Sequence, residues 1–219
     1  MTKYITDAWL VIVLGLAFGA ALAGVQMGLG PIIDQNKLNE ALSRIPALVP
    51  GAVQPDLTKV SPDQVMFREA GSTVYYARDE RGRQVGWVIQ AAGQGFADRI
   101  ELLIGVNQDA GRITGLYVLE HKESPGYGDR IATSEFQDPF NKGKIVGGEV
   151  QRLRTDQPLK VTAERTDSLS EVKALTGATI SSQSVAGIIN DAMTKVRPGL
   201  RARAGSSGAA IEPSAKGGR

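Results

Sequence analysis

The feature that most constrains this chain is an apolar run near its start, Ala8–Ile33, that contains no charged side chain. A helix of about 20 apolar residues is what is needed to cross the hydrocarbon core of a bilayer. Tyr4 and Trp9 stand near the start of the run, where amphipathic rings favour the membrane interface. Residues 1–33 are therefore predicted to form a short cytoplasmic stub and a single transmembrane helix.

A cleaved signal peptide is the alternative interpretation, because Ala21-Leu22-Ala23 would serve as a cleavage site. However, the stretch before the run holds one Lys and one Asp, and the apolar residues continue past Gly24. Both features favour an uncleaved anchor. Anchors of this kind usually leave a short N-terminus in the cytoplasm, so we expect the rest of the chain on the outer side of the membrane.

Composition excludes several kinds of site. The 219 residues contain no cysteine, which excludes disulfides, iron–sulfur clusters and cysteine-based zinc sites within this chain. A single histidine, His121, leaves no pair for a histidine-rich site, so no metal site is predicted. A net charge of +2 and an aromatic content of 5% argue against nucleic-acid binding. No catalytic acid, base or nucleophile is assigned, and redox chemistry would require an organic cofactor.

The chain beyond the apolar run has the pattern of one α+β domain. An antiparallel meander is predicted from four strand-like runs separated by turn residues. These runs are Val74–Ala77, Gln84–Ala91, Ile100–Val106 and Ile113–Glu120. Helices are predicted over Asn36–Leu48 and within Asp129–Asn141, and Gly177–Val196 is predicted to be a turn followed by an amphipathic helix. A broken strand pattern covers Lys144–Val161.

Four segments follow from this pattern. Residues 1–33 hold the stub and the membrane helix, and residues 34–73 form a helical and loop segment. Residues 74–197 form the domain, which is expected to end where Pro198 stops the last helix. Residues 198–219 are rich in Gly, Ser, Ala and Arg, and they are predicted to be a disordered tail.

In the stretch Leu175–Ser184, LTGATISSQS, four hydroxyl groups lie where a helix begins, those of Thr176, Thr179, Ser181 and Ser182. A helix start has unpaired N–H groups and the positive end of the helix dipole, which together suit a phosphate group. The alternative is that Ser181 or Ser182 only caps the helix.

A second stretch, His121–Gly128, reads HKESPGYG. The two glycines on either side of Tyr127 allow the backbone to approach a flat ligand closely. On its own, an ordinary proline–glycine loop explains this stretch equally well.

Taken together, the two stretches resemble the covalent FMN-binding domain family. This domain occurs in the G subunit of the Rnf electron-transport complex and in the C subunit of the sodium-pumping NADH:quinone reductase. The family patterns are His-x-Glu-Ser/Thr-Pro-Gly-x-Gly and then Ser/Thr-Gly-Ala-Thr-x-Ser/Thr. The matching residues are His121, Glu123, Ser124, Pro125, Gly126, Gly128, Thr176, Gly177, Ala178, Thr179 and Ser181. The implied fold is α+β, with a single transmembrane helix and one FMN-binding domain built from an antiparallel sheet and flanking helices.

The resemblance implies that Thr179 carries FMN through a phosphoester bond, which a separate flavin transferase forms from FAD with magnesium. The loop 121–128 is expected to form one wall of the flavin site, where backbone N–H groups would bind the ring. The candidate cofactor-binding residues besides Thr179 are Thr176, Gly177, Ala178, Ser181, Ser182, His121, Glu123, Ser124, Gly126, Tyr127 and Gly128. The family commonly has Asp where this chain has Lys173.

The implied function is that of a flavoprotein subunit in a membrane-bound, ion-translocating complex of the Rnf type, a ferredoxin:NAD+ oxidoreductase. Its partners would be the lipid bilayer and the other membrane and iron–sulfur subunits. The implied location is a bacterial inner membrane, with the FMN domain on the periplasmic side. Three alternatives remain: a C-type subunit of the sodium-pumping reductase, a non-catalytic membrane-anchored assembly module, and a stand-alone membrane flavoprotein.

Overall fold

The computed structural model describes residues 2–58 and 62–207. The chain forms two compact units, one up to Ala41 and one from Leu42 onward. Helix α1 spans Thr2–Leu48, and its part Ala8–Leu48 is long and apolar enough to cross a membrane. The large apolar side chains between Trp9 and Ile33 are exposed, as expected for a lipid-facing surface.

Helix α1 is longer than the sequence predicts. We expected a second helix over Asn36–Leu48, but the structure has one helix that continues through Pro31. A proline removes one backbone hydrogen bond, and long apolar helices tolerate that loss. The last turns of this helix have an apolar face, because Leu42, Ile45 and Leu48 are buried.

A five-stranded antiparallel sheet forms the centre of the second unit, with its strands in chain order. Its strands are β1 (Met66–Glu69), β2 (Ser72–Arg78), β3 (Gln84–Gln94), β4 (Arg99–Asn107) and β5 (Ile113–Glu120). The predicted meander is confirmed as β2 to β5. Strand β1 was missed, because its four residues are too few to show an alternating pattern.

Both faces of the sheet are covered. Helix α4 (Thr179–Ser207) packs on one face so closely that a Cβ at Gly93 would lie 2.6 Å from Ile188. Leu48 packs on the other face, where a Cβ at Gly105 or Gly115 would lie 2.4 Å or 2.7 Å from its backbone. The glycines of paired strands β4 and β5 therefore let a helix end lie directly on the sheet.

The remaining elements are short. They are α2 (Pro62–Val65), a 3-10 helix (Gly128–Ala132), α3 (Ser134–Asn141), the antiparallel pair β6 (Lys144–Val146) and β7 (Glu149–Gln151), and the parallel pair β8 (Lys160–Thr162) and β9 (Glu171–Lys173). They confirm the predicted short helix and the broken strand pattern. These elements are peripheral to the sheet, and the 3-10 helix leads out of the loop 121–128.

The prediction that Pro198 ends the last helix is wrong, because α4 continues to Ser207. Tertiary contacts outweigh the lost hydrogen bond: Leu200 is buried, Arg201 donates to the Asp109 carbonyl at 3.2 Å, and the Arg203 guanidinium lies 4.3 Å from the centre of the Phe67 ring. Residues 208–219 of the predicted disordered tail lie outside the described residues.

Candidate functional site

A cavity of about 420 Å³ lies where three segments of the second unit meet. The segments are the β3–β4 turn at residues 95–98, the loop after β5 at residues 121–128, and the start of α4. Its lining residues are Phe96, Ser124, Tyr127, Gly128, Gly177, Ala178, Thr179, Ile180 and Ser181. The two stretches singled out in the sequence therefore face each other across one cavity.

Three large apolar side chains line this cavity and are exposed to water. They are Phe96, Tyr127 and Ile180, with exposed fractions of 60%, 62% and 54%. We call these three the apolar rim. Exposed apolar clusters of this kind commonly mark a ligand or partner site.

The start of α4 is held by local hydrogen bonds. Gly177 has a φ of +82°, a conformation that favours glycine, and it allows the chain to turn into the helix. The Ser182 hydroxyl accepts from the Leu175 N–H at 3.1 Å and donates to the Ala178 carbonyl at 2.9 Å. Ser182 therefore serves the local turn, in line with the capping alternative, whereas Thr179 at the first position of the helix is exposed.

At and beneath the lining of the cavity lie three buried polar side chains: Glu123, Ser181 and Ser182. We call these three the polar floor. One Glu123 carboxylate oxygen, Oε1, accepts from the Ala97 N–H at 3.0 Å, and the other, Oε2, accepts from the Ser181 hydroxyl at 2.5 Å. The floor thus contains a buried carboxylate that receives a hydrogen bond on each oxygen.

Two glycines make room for that carboxylate. A Cβ at Gly95 would lie 2.3 Å from Glu123 Oε1, and a Cβ at Gly128 would lie 2.9 Å from both Glu123 Oε2 and the Ser181 hydroxyl. Only residues without a side chain fit at these two positions, so the family pattern of glycine at position 128 has a packing explanation here.

Two charged pairs lie on or next to the segments that form the cavity. Lys122 lies 3.6 Å from Asp98, and both are largely exposed. The pKa of Asp98 is lowered, first because the Arg99 N–H donates to its carboxylate and then because of the nearby Lys122. Arg130 donates to the Thr176 carbonyl at 3.1 Å and to the Glu135 carboxylate at 2.6 Å, and it thereby connects the 3-10 helix to the α4 turn.

Seven of the twelve candidate residues line the cavity: Ser124, Tyr127, Gly128, Gly177, Ala178, Thr179 and Ser181. Five do not: Glu123 and Ser182 are buried beneath it, while His121, Gly126 and Thr176 lie in the adjoining turns. The His121 Nδ1 accepts from the Glu123 N–H at 3.4 Å. The roles of these residues toward a cofactor stay predictions.

Sequence reasoning missed two lining residues, Phe96 and Ile180. Phe96 lies in the hairpin turn between β3 and β4, directly after Gly95, whereas Gly93 and Gln94 are the last residues of β3. An aromatic residue in a turn of otherwise small and polar residues was the available signal. Ile180 occupies the unspecified position of the Gly-Ala-Thr-x-Ser pattern, so the pattern itself could not point to it.

The site fits FMN on three observations of this structure. A volume of about 420 Å³ lies within the range of small-molecule and cofactor sites, roughly 300–1,000 Å³. The apolar rim suits a flat aromatic ring system. The first turn of α4 offers N–H groups and a positive dipole end to a phosphate.

Comparisons with known proteins agree with this fit. Residues 95–194 match the family model of the FMN-binding domain. The chain is 35% identical over 122 residues to the G subunit of the ion-translocating oxidoreductase complex of Methanosarcina acetivorans, which covers 56% of this chain and 57% of that protein. It is 26% identical over 126 residues to the G subunit of the proton-translocating ferredoxin:NAD(+) oxidoreductase complex of Clostridium ljungdahlii, covering 58% and 61%.

A solved structure has the same fold. It is the C subunit of the Na(+)-translocating NADH-quinone reductase of Parabacteroides distasonis, with a TM-score of 0.50, 18% identity, and coverage of 76% of this chain and 94% of that one. At this identity the likeness shows the fold alone. The chain spans about three-fifths of the length of the two curated relatives. The resemblance predicted from the two motifs, and the α+β fold, are confirmed.

Proposed function

Starting from a domain that matches the FMN-binding family, we propose that this chain is a flavoprotein subunit of a membrane-bound, ion-translocating oxidoreductase complex of the Rnf type. Three observations support the proposal: the domain match over residues 95–194, relatives that are named as the G subunits of such complexes, and a helix apolar enough to anchor the chain in a bilayer. The redox role is that of one subunit, not of a complete enzyme.

The finer proposal is that FMN is attached through its phosphate to the Thr179 hydroxyl. The observation that carries it is the difference in accessibility among the four hydroxyl residues near the start of α4, which are Thr176, Thr179, Ser181 and Ser182. Ser181 and Ser182 are buried and donate to Glu123 and Ala178. Thr176 is exposed but does not line the cavity, whereas Thr179 is exposed, lines the cavity and begins α4.

FMN, when bound, would supply reversible one-electron and two-electron transfer. This chain's own residues would bind, orient and shield it. The first-turn N–H groups of α4 would stabilise the negative charge of a phosphodiester at Thr179. Phe96 and Tyr127 would exclude water from a ring system in the cavity, and the backbone around Gly126–Gly128 would offer donors to its polar edge.

The location and the partners follow from the same proposal. The 219 residues contain no cysteine, so iron–sulfur clusters in the electron path would belong to other subunits. We place the α1 span in the inner membrane and the FMN domain on its periplasmic side, where covalent attachment prevents loss of a scarce cofactor. A flavin transferase would load the domain.

Intact mass tests the attachment. The full chain is co-expressed with a flavin transferase, purified from membranes and measured after denaturation, beside Thr179→Ala and the matched control Thr176→Ala. We expect the wild type and the control to gain the mass of one FMN less one water, and Thr179→Ala to gain nothing. An unmodified wild type, or a modified Thr179→Ala, would overturn the attachment. The same spectrum reports whether the apolar segment is retained or cleaved.

Co-purification tests the complex. Membranes from cells that make the native protein are solubilised in a mild detergent, and the loaded chain is captured. We expect membrane and iron–sulfur subunits to accompany it. A loaded chain without any partner would favour a stand-alone flavoprotein, and an unloaded chain with partners would favour the assembly module.

A further inference from the structure

Glu123 is the only buried charged side chain among those that the structure describes, with 5% of it exposed. Burying a carboxylate costs free energy unless hydrogen bonds or opposite charges compensate it. Here the compensation consists of two neutral donors, the Ala97 N–H and the Ser181 hydroxyl. A residue that costs this much at the base of a candidate site calls for a functional explanation.

The two hydrogen bonds connect all three segments that form the cavity. Glu123 itself lies in the loop 121–128, which carries Tyr127. Its Oε1 holds Ala97, next to Phe96 in the β3–β4 turn, and its Oε2 holds Ser181, two residues after Thr179 in α4. The length of one side chain therefore sets the separation between the wall with the aromatic rim residues and the helix turn with Thr179.

The backbone is shaped around this carboxylate. Gly95 and Gly128 each lie where a Cβ would collide with one of its oxygens, at 2.3 Å and 2.9 Å. Two segments from different parts of the chain therefore each have a glycine where a side chain would collide with the Glu123 carboxylate. Because the backbone packs closely around the Glu123 carboxylate, the carboxylate is held in one position.

We propose that Glu123 is a positioning residue: the reach of its side chain fixes Thr179 and the aromatic wall at the spacing that FMN attachment requires. This inference rests on the proposed function, because it concerns the same site. Two substitutions of Glu123 separate the effect of its side-chain length from the effect of its charge. Glu123→Asp keeps the charge but is shorter by one methylene, about 1.5 Å, whereas Glu123→Gln keeps the length, an acceptor toward Ala97 and a polar group toward Ser181.

The first readout is the rate at which the full chain, made without transferase and then mixed with transferase, FAD and magnesium, gains FMN mass. We expect Glu123→Asp to lower this rate about 100-fold, as expected when reacting groups are displaced by about 1 Å. We expect Glu123→Gln to lower it less than about fivefold. Glu149→Gln, an exposed glutamate on β7, is the matched control and is expected to match the wild type.

The second readout needs no flavin. Hydrogen exchange of the unloaded chain is measured by mass spectrometry, and exchange of the Ala97 amide is expected to rise about tenfold or more in Glu123→Asp, because its acceptor is lost. Peptides from the centres of β3 and β4 should exchange as in the wild type, which separates a local loss of positioning from general unfolding.

A Gln variant that is impaired as much as the Asp variant, or an Asp variant that matches the wild type in both readouts, would overturn the proposal. If Glu123→Asp does not fold, Ser181→Ala removes the other end of the bridge, and an unchanged loading rate in that variant would overturn it as well. A wild type that gains no FMN contradicts the proposed function, and the exchange result then still decides whether Glu123 holds the three segments together.

Discussion

The polar floor and the apolar rim of the cavity reverse the usual distribution of side chains. In the sheet beside them, apolar residues such as Ile89 and Leu102 are completely buried. At the cavity, the polar side chains of Glu123, Ser181 and Ser182 are buried together with the small side chain of Ala178, while Phe96 and Tyr127 are exposed. From this difference we infer that the polar floor holds the site in its conformation. The apolar rim, in contrast, is available to a ligand.

The largest effect is expected from crowding the floor. Gly95→Ala would place a Cβ 2.3 Å from Glu123 Oε1 and 2.5 Å from the Asp98 carbonyl, so backbone as well as side chain must move. We expect the free energy of unfolding to fall by about 2–3 kcal/mol, measured by urea titration of the full chain in detergent. Gly187→Ala is the matched control, because its Cβ would meet nothing within 4 Å and a helix favours alanine.

A smaller effect is expected from removing one floor hydroxyl. Ser182→Ala leaves the Leu175 N–H without its acceptor, and we expect a loss of about 1–2 kcal/mol in the same titration. Ser184→Ala, a half-buried serine on the same helix, is the control. Equal stability of the two variants would show that the hydrogen bond to Leu175 does not hold the turn.

Most of the secondary structure around the polar floor could be predicted from the sequence. Strands β2 to β5 alternate or run apolar between turn residues, and the helix after Gly177 has a clear apolar stripe, so local pattern was enough. The spacing of the two motifs indicated one site through the family resemblance. Local pattern alone would not have joined residues that lie about fifty positions apart, because only the completed sheet brings them together.

The rest depended on contacts that are not local. The continuation of α4 beyond Pro198 depends on Leu200, Arg201 and Arg203 meeting distant partners, and tertiary contacts of this kind override the local effect of a proline. Glu123 was predicted as a cofactor contact from the motif, and that role stays a prediction; in the structure Glu123 is buried, does not line the cavity, and accepts hydrogen bonds from Ala97 and Ser181. The spacing of residues in His121–Gly128 does not show whether the Glu123 side chain is buried and links two segments by hydrogen bonds, or is exposed and contacts a cofactor.

Substitutions in the apolar rim should affect the bound flavin more than the free energy of unfolding, unlike those in the polar floor. Tyr127→Ala removes a largely exposed ring, and we expect the unfolding free energy to change by no more than about 0.5 kcal/mol. In flavin-loaded protein, we expect quenching of flavin fluorescence by iodide to increase about twofold, because water reaches the ring system more readily. Ile145→Ala, an exposed residue on β6, is the control and should leave quenching unchanged.

A partly buried chain of hydrogen bonds away from the cavity extends the comparison, because its contribution to stability changes only at high pH. The Tyr75 hydroxyl donates to Gln90 at 2.6 Å, and Gln90 donates to Glu101 at 2.7 Å. Burial, and then the charge of Glu101, raise the pKa of Tyr75 from 10.0 to about 12. The folded state therefore favours the neutral phenol, so its contribution to stability is complete below pH 10 and is lost as the pH rises toward 12.

Titration of tyrosinate absorbance near 295 nm checks this expectation. One tyrosine of the folded chain should ionise near pH 12, and Tyr75→Phe should remove that late step. An ionisation of all five tyrosines near pH 10 would contradict the assignment.

Because three segments that are distant in sequence form the cavity, the site can be completed only late in synthesis and folding of the chain. The β3–β4 turn and the loop 121–128 are synthesised well before Thr179, and α4 is the last element that the structure describes. A nascent chain therefore lacks a complete site until α4 has been made and has packed on the sheet. If FMN is attached at Thr179 as proposed, loading would therefore report that folding is finished, and chains that fail to fold would remain unloaded.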